Sequence, residues 1–115
     1  MVIVTINYEY EDDPVERAKT YTPERAEGFV NLPGLDWKIW LDAAEDKRTG
    51  GIYHFEDRAS ADAYVNGPIV DRMRTNKALK NLQVRTFNTR EEMSRITRAP
   101  IFSNEDESFS RSAAE

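Results

Sequence analysis

LDWKIWLD at residues 35–42 and GIYHFE at residues 51–56 are the two segments that set the fold class. In the first segment the odd-numbered positions are apolar and the even-numbered positions are charged, except for Trp40. Alternation with period two predicts a β-strand whose two faces meet different surroundings. The polar run 43–49 and the pair Gly50 and Gly51 predict a hairpin loop, which returns the chain as an antiparallel second strand.

Two more strands are predicted, one before and one after this hairpin. Residues 2–10 read VIVTINYEY, with β-branched or aromatic residues at every even-numbered position. Residues 82–88 read LQVRTFN and form the fourth strand. In the first strand the even-numbered face is wholly apolar and the odd-numbered face is partly polar, so we expect the two faces of the sheet to be covered differently.

Two helical pieces are predicted between the first and second strands. The pairs Asp13-Pro14 and Thr22-Pro23 each combine a capping side chain with a proline at the first helical position. Pro23 would cost about 3 kcal/mol inside one continuous helix, so we expect a short first piece and a main helix over 23–31.

Two further helices are predicted between the third and fourth strands, where Asp57 caps one helix and Pro68 begins another. Residues 89–92 read TREE, a capping-box sequence that predicts a short helix after the last strand. The order β-α-β-β-α-β indicates a ferredoxin-like α+β fold, a four-stranded antiparallel sheet with helices on one face. The other face carries aromatic residues, and pairing two sheets in a homodimer would bury it and close a barrel.

The composition excludes several classes of functional site. The chain of 115 residues has no cysteine and a single histidine, His54. Disulfide scaffolds, thiolate zinc sites, iron–sulfur clusters and two-histidine metal sites are therefore excluded. No glycine-rich nucleotide-binding motif is present, so we expect no cofactor. We also expect a cytoplasmic protein without membrane contact, since no apolar run reaches the length of a membrane span and no signal peptide opens the chain.

Charge is unevenly distributed along the chain. The net charge is −5, yet residues 72–98 hold eight basic and two acidic side chains. We interpret this segment as a solvated surface balanced by the acidic half of the chain. We expect no nucleic acid to bind, because the single aromatic residue of the segment, Phe87, does not provide interleaved stacking platforms. Residues 103–115 are rich in Ser, Glu and Asp, so we expect one folded domain over 1–102 and a disordered tail over 103–115.

Three motifs carry a resemblance to a known family: LPGLDWKIW at residues 32–40, GGIYHFED at 50–57 and SADAY at 60–64. In this order they resemble the YdhR-like monooxygenases of the dimeric α/β-barrel superfamily, to which the antibiotic-biosynthesis monooxygenases also belong. The resemblance extends over residues 2–101. It implies the ferredoxin-like fold, a homodimer and oxygenation without a cofactor.

An oxygenase without a cofactor needs a substrate that supplies the electrons. A deprotonated phenol or enol passes an electron to O₂ directly, so the protein must supply a base, an apolar pocket and donors for the developing oxyanion. The candidate catalytic residues are His54, the only side chain whose ordinary pKa lies near 7, and Tyr53, which belongs to the family motif. Neighbours on a strand point to opposite faces, so these two cannot both line one pocket.

Five residues are candidates for binding the substrate. Trp37 and Trp40 point to opposite faces, one under the helices and the other into the barrel, and Trp40 is favoured as the wall of an aromatic-substrate pocket. Tyr64 could donate a hydrogen bond to a substrate oxygen. Arg85 and Asn7 are polar residues inside strands, and each either contacts a phenolate or enolate or faces solvent.

The sequence thus favours a monooxygenase that acts on a small lipophilic substrate, aromatic or polyketide-like. Two alternatives stay open: a homodimer that binds a small apolar or aromatic ligand without turnover, and an isomerase or decarboxylase that uses the same base without O₂. The pocket lies either between the sheet and the helices or inside the dimer barrel.

Overall fold

A computed structural model describes residues 1–101 of the chain. Within this range four strands form one antiparallel sheet in the order β2-β3-β1-β4, and the predicted ferredoxin-like fold is confirmed. The strands are β1 (Val2–Tyr10), β2 (Leu35–Ala43), β3 (Arg48–Phe55) and β4 (Leu79–Asn88). The expected tail 103–115 and the expected domain boundary at residue 102 lie outside the described residues.

Four of the five helices within residues 1–101 begin where the capping residues and prolines predict. The five helices are α1 (Pro14–Ala18), α2 (Pro23–Val30), α3 (Arg58–Val65), α4 (Pro68–Thr75) and α5 (Glu91–Ile96). The side chains of Asp13, Thr22 and Asp57 each accept a backbone hydrogen bond from the first turn of the helix that follows. None of the helices within residues 1–101 is long and apolar enough to cross a membrane.

The predicted capping box before α5 is wrong, although the helix itself is present. The Thr89 hydroxyl donates to the Met1 carbonyl oxygen at 3.1 Å, which ties the end of β4 to the beginning of β1. Arg90 occupies the N-cap position and makes no side-chain capping bond. The Thr89 side chain therefore bonds to Met1 across the sheet instead of capping α5 as the local sequence predicts.

The predicted hairpin loop is also wrong at its glycines. Gly50 and Gly51 lie inside β3, and the turn consists of a 3₁₀ segment at Ala44–Asp46 with Lys47 in the left-handed region at φ 50°. A Cβ atom on Gly50 would lie 2.1 Å from the Ile6 carbonyl oxygen. Gly50 is therefore required by the close approach of β1 and not by the turn.

The two faces of the sheet differ in cover. Under the helices lies a core formed by the even-numbered residues of β1 and their neighbours: Val2, Val4, Ile6, Tyr8, Tyr53, Phe55, Ala61, Tyr64 and Val70. The opposite face leaves large apolar side chains exposed, among them Ile39 (47%) and Phe87 (49%). The register shifts between Leu35 and Trp37, after which Lys38 pairs with Tyr53, so β2 turns Lys38 and Trp40 toward the helices.

Candidate functional site

A cavity of about 180 Å³ lies between the helices and the sheet. Strands β1, β2 and β3 form its floor, and side chains of α1 to α4 form its roof. Its lining residues include Tyr8, Arg25, Phe29, Lys38, Trp40, Tyr53 and Tyr64. A second cavity of about 320 Å³ shares Tyr21 and Trp40 with the first and opens along the edge of β2.

Lys38 carries its amine into a cluster of aromatic rings in this cavity. Its Nζ atom lies 3.5 Å from the ring centre of Trp40, 3.7 Å from that of Phe29 and 4.6 Å from that of Tyr53. A Cβ atom on Gly51 would lie 3.0 Å from Lys38 Cε, so the glycine leaves the space that the lysine chain occupies. The Lys38 side chain is thus packed between the aromatic rings and the backbone of Gly51.

The surroundings of Lys38 make its amine a weak base for a lysine. Burial, with a smaller contribution from the Arg25 guanidinium, lowers the pKa of Lys38 to about 7. Contacts with the ring faces favour the ammonium form, whereas the loss of hydration favours the neutral amine. Near neutral pH a large share of molecules therefore hold a neutral amine, the form that a general base requires.

Tyr53 and Tyr64 supply hydrogen-bond donors beside this amine. Their ring centres are 5.0 Å apart, and burial raises the pKa of both phenols. Both therefore stay protonated at neutral pH. The Tyr64 hydroxyl is buried and interacts with the Tyr53 hydroxyl, which raises the pKa of Tyr53 and partly opposes the rise in the pKa of Tyr64. A hydroxyl that accepts a hydrogen bond keeps its own O–H donor, so a substrate oxygen in the cavity could accept from Tyr64.

A second cationic group, Arg25, lies near the mouth of the cavity. Its guanidinium lies over the rings of Tyr21 and Trp40, 5.7 and 5.6 Å from their centres. Nη1 donates to the Thr20 hydroxyl at 3.2 Å. Burial raises the pKa of Tyr8, and Arg25 partly opposes this shift. The cavity therefore combines aromatic walls with two positive groups.

The structure brings together three of the seven residues that the sequence analysis selected. Tyr53, Trp40 and Tyr64 line the cavity under the helices. The other four lie on the opposite face of the sheet: His54, Trp37, Arg85 and Asn7. On that face Arg85 is exposed, and Asn7 Oδ1 accepts from Arg48 at 3.4 Å.

His54 is fully buried on the opposite face and belongs to a different cluster. Its Nδ1 lies 2.9 Å from Asp36 Oδ2, and its ring stacks on Trp37 with centres 5.1 Å apart. Trp37 Nε1 in turn donates to the Pro100 carbonyl oxygen at 2.8 Å. Burial lowers the pKa of His54, although the Asp36 carboxylate opposes that shift. This cluster fixes the segment after α5 against the sheet.

Sequence reasoning missed Lys38, Arg25 and Tyr8. Lys38 stands two positions before Trp40, so alternation alone places both on one face. A charged residue that shares a face with an aromatic candidate was therefore an available signal. The sequence does not indicate that Arg25 and Tyr8 line one cavity, because their proximity depends on how α2 packs on the sheet.

A family model and several solved structures are similar to this chain. The model described as "Putative mono-oxygenase ydhR" matches residues 3–100. No curated protein matches the chain. SnoaB, a cofactor-independent oxygenase from Streptomyces nogalater, is 18% identical with a TM-score of 0.58, over 77% of this chain and 92% of that one.

Two further structures share the architecture. An antibiotic biosynthesis monooxygenase from Deinococcus radiodurans, described as putative, is 10% identical over 90% of this chain and 100% of that one, with a TM-score of 0.62. The haem-degrader MhuD from Mycobacterium tuberculosis is 19% identical over 76% of this chain and 95% of that one, with a TM-score of 0.54. At these identities the likeness shows the fold.

Proposed function

The chain belongs to the ydhR mono-oxygenase family, and on that premise we propose that it oxygenates a small lipophilic substrate, aromatic or polyketide-like, without a cofactor. The cavity under the helices is the proposed active site. The observation that carries this proposal is Lys38, an amine with a pKa of about 7 held among three aromatic rings. The description of SnoaB as a cofactor-independent oxygenase supports it by analogy of fold.

Lys38 is the proposed base. The substrate lies against Trp40, and the neutral amine removes a proton from an acidic methylene or phenol. The ammonium that forms stays beside the new anion and stabilises it, while Tyr53 and Tyr64 donate hydrogen bonds to the developing oxyanion. The sequence predicts His54 for the role of base, but His54 faces away from this cavity, so the proposal gives that role to Lys38 and keeps Tyr53 as a donor.

The reaction balances without an external reductant. The substrate anion passes one electron to O₂, and the resulting radical pair forms a carbon–oxygen bond; protonation then gives a hydroperoxide. Loss of water from a hydroperoxide whose carbon still bears hydrogen leaves a carbonyl group. One oxygen atom enters the product and the other leaves as water. The methylene carbon supplies all four electrons that O₂ accepts.

The proposed functional unit is a homodimer. The sheet face opposite the helices exposes Ile39 and Leu41 on the edge strand β2 and Phe87 on the other edge strand, β4. Burial of such side chains against a second copy is favourable at about 25 cal/mol per Å². Pairing two such faces would close the barrel that the sequence predicts, with one active site under the helices of each subunit.

The test is oxygen consumption with anthrone, a compound with one acidic methylene, in buffer treated with a chelator. We expect uptake of O₂ above the uncatalysed rate and, with labelled O₂, one labelled atom in the product. Lys38→Met should lower the rate roughly 10²- to 10⁴-fold, and Lys77→Met, an exposed lysine outside the cavity, should leave it unchanged.

The other outcomes identify the alternatives. Binding of anthrone without oxygen uptake would favour the ligand-binding dimer. Exchange of the methylene protons with solvent, again without oxygen uptake, would favour an isomerase or decarboxylase that uses the same base.

A further inference from the structure

Two positive groups share the cavity under the helices without an acidic partner. Arg25 and Lys38 both line it, and no Asp or Glu of the described residues does. The two are close enough that Arg25 contributes to the low pKa of Lys38. Like charges in a partly desolvated cavity repel each other, and a bound anion would relieve that repulsion.

The neighbouring charged groups do not neutralise the positive charge of Arg25 and Lys38. Arg17, which also lines the cavity, is paired with Asp12 at 2.8 Å. Asp42 lies on the same strand two residues beyond Trp40, but it lines the adjoining cavity. The positive charge of Arg25 and Lys38 is therefore not balanced by a carboxylate that lines the cavity.

We propose that the substrate of this site is an aromatic acid whose carboxylate is bound by Arg25 while its ring system packs against Trp40 and Tyr53. The proposal rests on the proposed function for the location of the active site. A guanidinium offers a planar set of donors that matches a carboxylate, which an ammonium does not.

Arg25 is oriented for this role before any ligand arrives. Its Nη1 is bonded to Thr20, through the hydroxyl at 3.2 Å and the carbonyl oxygen at 3.4 Å. Its Cζ atom lies over the rings of Tyr21 and Trp40. The guanidinium bonds Thr20 through a single nitrogen and also interacts with the Tyr8 hydroxyl, and its five N–H donors exceed these contacts, so donors remain for a ligand.

Binding at Arg25 would also set the position of the reacting carbon. A carboxylate fixed at the mouth restrains one end of the substrate and directs the rest inward, where the Lys38 amine lies among the rings. Neutralising Arg25 removes one cause of the low Lys38 pKa, so that pKa rises on binding. The complex should therefore take up a fraction of a proton when it forms above pH 7.

Calorimetric titration under nitrogen tests this proposal without turnover. Naphthoate is the probe, and naphthylmethanol is its neutral counterpart of similar shape. We expect the wild-type protein to bind naphthoate at least roughly tenfold more tightly than the alcohol, the factor expected from one charge-assisted hydrogen bond. Titrations of naphthoate at pH 8 in buffers of different ionisation enthalpy should show proton uptake.

Variants of Arg25 separate its role from general electrostatic attraction. Arg25→Gln should abolish the preference for naphthoate, and Arg25→Lys should keep only part of it. Arg72→Gln removes one positive charge from the exposed surface of α4, outside the cavity, and should change nothing. Circular dichroism and thermal unfolding verify that each variant is folded.

Three results would overturn the proposal: equal affinity for the two probes, no measurable binding of naphthoate, or an unchanged preference in Arg25→Gln. If Arg25→Gln does not fold, equal affinity of the wild-type protein for the two probes still decides against it. Oxygen uptake with anthrone, which carries no carboxylate, is independent of these results. Failure of the carboxylate site is therefore distinguishable from failure of the monooxygenase proposal.

Discussion

The Nζ atom of Lys38 lies 3.5 Å from the centre of the Trp40 ring, and the two residues are separated by a single position on β2. Residues two apart on a strand share a face, so one strand presents both the amine and the wall of the cavity. An aromatic substrate packed against Trp40 would come within reach of that amine. The proposed base and the binding surface therefore depend on the same short piece of backbone.

The pKa of Lys38 predicts how stability depends on pH. In the unfolded chain the lysine has its ordinary pKa of 10.5, and in the folded protein it is about 7. Between these values the unfolded state binds more protons, so the free energy of unfolding should rise with pH from 7 to 10. Below pH 7 the folded state carries the full cost of the buried ammonium.

Denaturant unfolding of the wild-type protein and of Lys38→Met across this range measures the effect. The stability of the wild-type protein relative to the variant should increase with pH, and Lys77→Met should follow the wild-type curve. Parallel curves for the wild-type protein and Lys38→Met would mean that Lys38 titrates normally in the folded state.

The same group predicts the pH dependence of turnover. If the neutral amine of Lys38 is the base, kcat/KM should rise as pH increases through about 7 and level off above it. Lys38→Met should lose this inflection along with most of its activity. Oxygen uptake with anthrone from pH 5.5 to 9, corrected for the uncatalysed rate, gives the profile. An inflection that survives in Lys38→Met would belong to another residue.

Much of the fold could be predicted because its signals are local. Alternation located all four strands, and the prolines at positions 14, 23 and 68 located three helix starts. The errors came from contacts between distant segments. Gly50 is a glycine because β1 passes over it, and Thr89 does not cap α5 because Met1 lies within reach of its hydroxyl. Neither partner is visible in the surrounding sequence.

The site was predictable only in part for a related reason. Alternation separates the two faces of β2 and β3, but it does not say which face the helices cover. His54 was attractive for its ordinary pKa, whereas the pKa of Lys38 falls near 7 only through burial among rings from three elements. A residue whose chemistry is created by tertiary packing cannot be ranked by its ordinary pKa.

The exposed apolar face predicts the oligomeric state. We expect sedimentation at micromolar concentration to give twice the chain mass of 13.3 kDa. Phe87→Glu places a charge on the exposed face, at the edge strand β4, and should shift the protein toward the monomer. Val15→Glu, at an exposed apolar position on α1, is the control and should remain dimeric. A monomeric wild-type protein would contradict the proposed barrel.

The two tryptophans predict different effects on kinetics. Trp40→Ala removes a wall of the cavity and should raise KM more than it lowers kcat, because a wall contacts ground and transition states alike. Trp37→Ala removes the ring that stacks on His54 and should lower stability without changing KM. Steady-state oxygen uptake and thermal unfolding of both variants provide the comparison. If KM rose in Trp37→Ala and not in Trp40→Ala, the result would indicate that the substrate binds on the barrel side of the sheet.

Variants of His54 test which face of the sheet carries the catalytic base. His54→Ala removes a fully buried ring together with its contacts to Asp36 and Trp37, at a cost of about 2–3 kcal/mol in the free energy of unfolding. Turnover per folded molecule should be unchanged, because the cavity that holds Lys38 lies on the other side of the sheet.

The pKa of His54 is lowered in the folded state. As pH falls below the ordinary histidine range, the unfolded state is protonated first, so the wild-type protein should lose stability there and His54→Ala should lose less. His54→Gln keeps a polar side chain and serves as the milder variant. A His54→Gln or His54→Ala protein whose kcat per folded molecule fell roughly 10²- to 10⁴-fold would return the role of base to His54 and remove it from Lys38.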